Sequence, residues 1–190
     1  MIRNDFLLAA TIGASILATP VAAQAPSDAH QFVTAVRERE GNKAVELLRA
    51  RGVPILNSHD EKGDTALVIA MGRRDDVWAG FLLGQGADPN LAARNGDTPL
   101  MAAARAGFAI GASDLVSRKA RINAANRKGE TALILAVQQR HLPIVRLLLA
   151  AGADPDKTDN AAGYSARDYA MRDARSREIL RLIVARKPKP

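Results

Sequence analysis

Gly63-Asp64-Thr65-Ala66-Leu67 returns as Gly96-Asp97-Thr98-Pro99-Leu100 and as Gly129-Glu130-Thr131-Ala132-Leu133, with a looser copy at Gly163-Tyr164-Ser165-Ala166-Arg167. The threonines at 65, 98 and 131 stand 33 residues apart each time, and Ser165 follows after 34. A second signature keeps the same phase. Gly86-Ala87-Asp88-Pro89-Asn90 and Gly152-Ala153-Asp154-Pro155-Asp156 lie two periods apart, and Lys119-Ala120-Arg121-Ile122-Asn123 holds the slot between them in degraded form. Two separated motifs recurring in register fix the period, and a period of this length means stacked supersecondary units.

Each piece of the motif has a physical task. Gly63, Gly96, Gly129 and Gly163 sit where a tight turn needs positive φ. Thr65, Thr98, Thr131 and Ser165 are predicted N-caps, whose hydroxyl satisfies an orphan backbone N–H and is worth about 1 kcal/mol. Pro99 at a first helical position loses nothing, since its missing N–H has no intrahelical partner. Small residues follow (Ala66, Ala70, Ala102, Ala103, Ala132, Ala136), letting neighbouring first helices approach closely. The second helices are greasier: Val77-Trp78 with Phe81-Leu82-Leu83, and Ile144-Val145 with Leu147-Leu148-Leu149. Pro143 falls near a helix start, where proline is tolerated. Gly86 and Gly152 are predicted to stop these helices. Gly52-Val53-Pro54 ends a first unit that lacks the threonine motif. Helices this short are marginal alone, so stability must come from stacking unit on unit.

The pattern resembles the ankyrin repeat, D-x-x-G-x-T-P-L-H-x-A-A followed by a Val/Leu-rich helix and then G-A-D-x-N, over roughly Ala29 to Ala185. The resemblance implies an all-α solenoid of helix-turn-helix units joined by β-turn or hairpin loops, with about five repeats including degenerate caps. The units run over about 29–59, 60–92, 93–125, 126–159 and 160–185. Arg167 replaces the motif's buried leucine, which suits a last unit that nothing covers. The third unit departs in its second helix, where Gly111 and Asp114 hold the positions of Ile144 and Leu147. Gly in a helix interior costs about 1 kcal/mol and an unpaired buried carboxylate costs more. This segment is expected to be the softest internal one; a local register shift or a ligand contact would each account for it.

Composition agrees. Of 190 residues 47% are hydrophobic but only 4% aromatic, so the core must be aliphatic, and the Ala/Leu bias favours packed short helices over a sheet. No cysteine exists, which excludes disulfides, thiolate zinc sites and Cys nucleophiles. The net charge of +7 leaves nucleic acid, an anionic surface or an acidic protein as partners until the charge is located. Much of the excess gathers from Tyr164 onward, where Arg167, Arg172, Arg175, Arg177, Arg181, Arg186, Lys187 and Lys189 face Asp168, Asp173 and Glu178. Exposed Lys and Arg are what helix surfaces normally carry, so this end reads as a solvated face.

At the N-terminus, Met1–Asp5 is short and polar with Arg3, and Phe6–Leu17 is uncharged and largely apolar. That is the length of a signal-peptide core, well short of the roughly 20 apolar residues a membrane span needs. Val21 and Ala23 stand in the small-residue relation of a cleavage site, predicting a cut before Gln24. The competing reading is a hydrophobic helix packed on the domain. Residues 1–23 are read as a signal peptide, 24–28 as a linker, 29–185 as the repeat domain and 186–190 as a basic flexible tail. The Ala/Arg-rich composition and short leader resemble bacterial exported proteins, making the expected location periplasmic or secreted.

No catalytic constellation stands out, and no enzyme, cofactor or metal is expected. His30, His59 and His141 lack ligand partners at metal-site spacing. Asp75-Asp76 and Asp154 with Asp156 suit loops and helix N-termini. No G-x-S-x-G or phosphate loop occurs. Trp78 is read as core packing.

The ankyrin resemblance implies protein binding along a concave surface of turn tips and first helices. Carried over by position, its residues are Glu61, Lys62, Asp64, Arg94, Asn95, Asp97, Arg127, Lys128 and Glu130 at the turns, and Arg73, Arg105, Gln138, Gln139 and Arg172 at the first-helix ends. Charges of both signs alternate along this set, which suits a polar protein better than a nucleic acid. The expected function is protein–protein interaction by a monomer with no membrane insertion of the mature chain, as a periplasmic accessory or scaffold protein. The alternative is a secreted effector that grips a host or competitor protein.

Overall fold

The computed structural model describes residues 27–185. Among the described residues ten α-helices form five hairpins: α1 Asp28–Glu38 with α2 Gly41–Arg51, α3 Ala66–Gly72 with α4 Asp76–Gly84, α5 Pro99–Ala106 with α6 Ala109–Ser117, α7 Ala132–Gln138 with α8 Leu142–Ala150, and α9 Ala166–Arg172 with α10 Arg177–Ala185. No strand occurs among the described residues, and no described helix is long and apolar enough to cross a membrane. The signal peptide, most of the linker and the basic tail expected at 186–190 lie outside the described residues. The first helix begins at Asp28 behind Ser27, whose hydroxyl caps it, one residue before the boundary read from the sequence.

The repeated threonine starts each first helix as its position demanded. Thr65, Thr98, Thr131 and Ser165 each accept the backbone N–H three residues on, from Val68, Met101, Ile134 and Asp168. Pro99 is the first residue of α5. At the other end of the unit, α4 and α8 close in paired backbone bonds: Gly86 N–H reaches Leu83 O and Ala87 N–H reaches Leu82 O, as Gly152 and Ala153 do to Leu149 and Leu148. Two carbonyls that the helix end would orphan are thereby satisfied in each case. α6 ends in the same bonds, from Lys119 to Val116 and Ala120 to Leu115, although Lys119 must take φ +61 where the other units carry glycine.

First helices pack on first helices, α1 on α3, α3 on α5, α5 on α7 and α7 on α9, more closely than the second helices α4, α6, α8 and α10 pack on one another. The alanines allow this. Ala66, Ala70, Ala103, Ala132 and Ala136 are almost wholly buried between neighbours. A row that packs tighter on one side curves toward that side, so the first helices line the inside of the curve. One continuous core runs along the stack, through Phe32, Leu67, Met71, Leu82, Leu100, Leu115, Leu133, Ile144 and Leu148. Burying a side chain of this size is worth about 1.5–3 kcal/mol, and the core is shared between each hairpin and its neighbours.

The readings of Trp78 and of the third unit need correction, and not every apolar residue of the second helices is buried. Val77 is 80% exposed, because it lies on the outer side of α4. Trp78 is only half-buried: its ring meets Phe81 edge-on at 5.3 Å and lines an outer cleft with Val45 and Arg49 of α2. Asp114 is exposed, so no carboxylate is buried in the third unit, and α6 is a regular helix with no shift of register. A Cβ on Gly111 would stand 2.4 Å from the Phe108 ring and 2.7 Å from the Met71 sulfur, so glycine is there to make room for them.

Candidate functional site

Between units the chain forms hairpin tips, each closed by its own backbone. Asp60 N–H bonds Asp64 O, Ala93 bonds Asp97, Asn126 bonds Glu130 and Asp159 bonds Tyr164, all at 2.9–3.0 Å. Buried side chains at 60, 126 and 159 then fill the turn. Asp60 Oδ1 accepts the Asp64 N–H at 2.9 Å, Asn126 Oδ1 accepts those of Lys128 and Glu130, and Asp159 Oδ1 accepts those of Ala161, Ala162 and Gly163. In the third unit this slot holds Ala93, and Asn95 takes over by accepting the Asp97 N–H. Successive tips are tied by backbone: Arg94 N–H to Gly63 O at 2.6 Å, Arg127 to Asn95 at 3.2 Å and Asn160 to Lys128 at 2.8 Å.

Below the tips, a cleft of about 350 Å³ runs over the inner surface of α3 and α5, lined by Asp64, Arg73, Asp97 and Arg105 together with Arg37, Ile69 and Ala102. Its charges are paired within the fold. Arg37 reaches Asp60 at 2.5 Å and Asp64 at 2.8 Å, and Arg105 reaches Asp97 at 3.0 Å and Glu130 at 3.8 Å. Asp97 also accepts from Asn95 at 2.9 Å and, across the unit boundary, from Asn126 at 2.7 Å; Asn126 in turn donates to Glu130. The Arg73 guanidinium donates to the Val36 and Arg37 carbonyls. Burial pushes the Asp60 carboxyl up, but the Arg37 guanidinium and the Asp64 and Lys62 amides outweigh it and hold the group below the usual carboxylate range. Asp159 is held low against burial in the same way, by the Tyr169 hydroxyl at 2.6 Å and the turn amides, and Asp159 in return raises the phenol.

Of the fourteen residues singled out from sequence, the cleft thus gathers four. Glu130 and Asn95 join the same network one bond away. Gln138 lies beside the Tyr169 hydroxyl, and Arg172 lies over the Tyr164 ring at 4.0 Å, both toward the C-terminal end. Glu61 stands at the opposite end, 3.6 Å from His30. Lys62, Arg94, Arg127, Lys128 and Gln139 are exposed, and none has a side-chain partner among the described residues. Alternation of sign is therefore not what the surface presents. Apart from the exposed Glu61, the acids of the set are engaged inside the fold, and the exposed tips are mainly cationic.

The residues missed were Arg37, Asp60, Asn126 and Asp159. A signal existed for three of them, since positions 60, 126 and 159 keep the 33-residue phase. Nothing comparable marks Arg37, because its unit lacks the threonine motif. Among the described residues no group of three or more His, Asp or Glu is placed to hold a metal ion. His59 bonds the Ala92 carbonyl at 2.9 Å, and the His141 ring packs over Gly107.

A family model described as ankyrin repeats, in three copies, matches residues 78–159 and 112–189. No curated protein matches the chain.

Proposed function

The chain belongs to the ankyrin-repeat family, and from that premise we propose that it is an exported module that grips another protein with the inner face of its array, without catalysis of its own. The observation that carries this reading is the inner cleft with its row of hairpin tips. Its walls are fixed by ion pairs and buried turn bonds, so little side-chain entropy remains to be lost when a partner docks. The leader supports export: residues 1–23 are removed, 24–28 link, 29–185 bind as a monomer in units 29–59, 60–92, 93–125, 126–159 and 160–185, and 186–190 form a basic tail. Retention in the periplasm as an accessory or scaffold is the reading preferred here. A protein released as an effector would carry the same leader, and fractionation of the producing cell separates the two.

The absence of cysteine gives a direct test. Gln139 is exposed at the position that Arg73 and Ala106, which line the cleft, hold in the two preceding units. A photoreactive maleimide on Gln139→Cys should give a discrete cross-linked product in envelope extract. The same label on Ile110→Cys, on the outer row and 62% exposed, should give none. Cross-linking from the outer position alone, or from neither, removes the inner-face reading. A mature chain beginning at Gln24 is expected by mass; an intact N-terminus removes the export reading.

A further inference from the structure

Resting on the inner-face reading above, we propose that the partner offers the hairpin tips an extended acidic segment with a carboxylate at about every third residue. The acids next to the tips are committed to the fold: Asp60 and Asp64 to Arg37, Asp97 to Arg105 and Asn126, Glu130 to Asn126, Asp159 to Tyr169. The tip cations are not. Lys62, Arg94, Arg127 and Lys128 have no side-chain partner among the described residues, so each of three successive tips holds out at least one cation, beside the exposed Glu61 at the first and with no exposed acid at the second and third. Glu61 is the acid exposed with them, and it lies at the N-terminal edge beside His30.

Spacing selects the partner's conformation. The backbone bonds from tip to tip lock the turns to the helical stack, in which neighbours repeat at about 10 Å. An extended chain advances about 3.3 Å per residue, so three residues of it span one unit. A helix with acids at i, i+3 and i+6 would advance them only about 4.5 Å per step, less than half the tip spacing, and would need a seven-residue period instead. A polyproline-II segment, with three residues per turn and about 3.1 Å of rise, sets acids at i, i+3 and i+6 on one edge about 9 Å apart and matches the row, whereas in a flat strand the acid at i+3 would point to the opposite face. Nucleic acid fits less well, because the exposed tip positions 61, 62, 94, 95, 127 and 128 carry no aromatic ring on which a base could stack.

The probes are labelled synthetic peptides of about ten residues, long enough to cross three tips. One has Glu at every third position among Gly and Ser, an isomer has the same Glu residues contiguous, and a third has Lys in their place. A single-stranded oligonucleotide of equal charge is the fourth. By fluorescence anisotropy the spaced Glu peptide should bind more than about tenfold tighter than either of the other peptides and weaken with salt. The triple variant R94E/R127E/K128E should lose that binding, and R94Q/R127Q/K128Q should lose most of it, with far-UV circular dichroism unchanged in both. Equal binding of the two Glu isomers, binding unaffected by the Glu or Gln variants, or an oligonucleotide that binds as tightly overturns the proposal. If Gln139→Cys still cross-links while the peptides fail, the inner face binds a partner of different chemistry; if that cross-link fails as well, the inner-face reading itself is lost.

Discussion

The third and fourth units build the same helical hairpin from opposite distributions of side-chain volume. α8 opens on His141, partly exposed and packed over Gly107, and fills its core position with Ile144, which is buried. α6 opens on Phe108, also buried, whose ring lies over its own helix in the space an Ile144-like side chain would need, and glycine stands at 111 to admit it. Met71 of the preceding unit presses into the same place. Volume is conserved over the pair of positions and not at each one. Interiors are packed densely enough that such an exchange must be reciprocal.

Changing one member of a pair breaks the exchange. Gly111→Ile should cost about 3 kcal/mol or more by urea denaturation, since its Cβ alone would overlap both the ring and the Met71 sulfur. Adding Phe108→His, which recreates the fourth unit's pair, should recover a large part of that loss; additive losses would show that the two positions do not share one volume. In the fourth unit Ile144→Ala should cost about 2–4 kcal/mol through the cavity it leaves, because no aromatic ring stands ready to fill it.

A smaller effect sharpens the contrast at the helix ends. Lys119 holds φ +61 where Gly86 and Gly152 serve the other units, and a side chain in that conformation costs about 1 kcal/mol. Lys119→Gly should therefore stabilise the third unit by about 0.5–1 kcal/mol, read as a higher urea midpoint; a lower midpoint would mean that the lysine side chain contributes packing of its own.

The repeat was legible in the sequence wherever one residue does one local task. The threonine caps, the turn glycines, Pro99 and the small first-helix residues all stand where their spacing placed them. What escaped depends on contacts between units or on which side of a helix meets solvent. Trp78 reads as core packing from its place on the second helix, but the outer row is less closely packed and leaves it half open, with Val77 beside it exposed. Gly111 and Asp114 looked like defects because each was compared with one position of the fourth unit, whereas the compensation for Gly111 sits three residues earlier, at Phe108. Of the positions singled out for the candidate face, Asp64, Arg73, Asp97 and Arg105 come together in the cleft. Which charges cancel within it was not legible, since Arg37 and Asn126 act across unit boundaries.

The smallest expected effect concerns pH. Asp60, Asp156, Asp159, Asp168 and Asp173 all titrate below the ordinary carboxylate value in the folded chain. Asp173 goes down to about 2, chiefly through the Arg175 amide, with Arg140 and the Ser176 hydroxyl adding to it. Groups depressed on folding bind fewer protons in the native state, so their contribution is complete above the unfolded value near 4 and is lost as pH falls toward 2. The urea midpoint should stay flat from about pH 7 to 5 and then decline. A decline beginning near pH 6 would point to groups other than these aspartates.

The most direct measurement compares the two rows of helices where the protein works. On the proposal that the chain is exported to the periplasm, Gln139→Cys and Ile110→Cys chains are labelled with a thiol reagent that crosses the outer membrane but not the inner one, in intact producing cells and after purification. Labelling at position 139 should be several-fold slower in the cell than in the purified chain, because a partner covers the inner row, while position 110 should react at the same rate in both. Equal rates at 139, or protection confined to 110, contradict a protein that works by holding a partner in its inner curve.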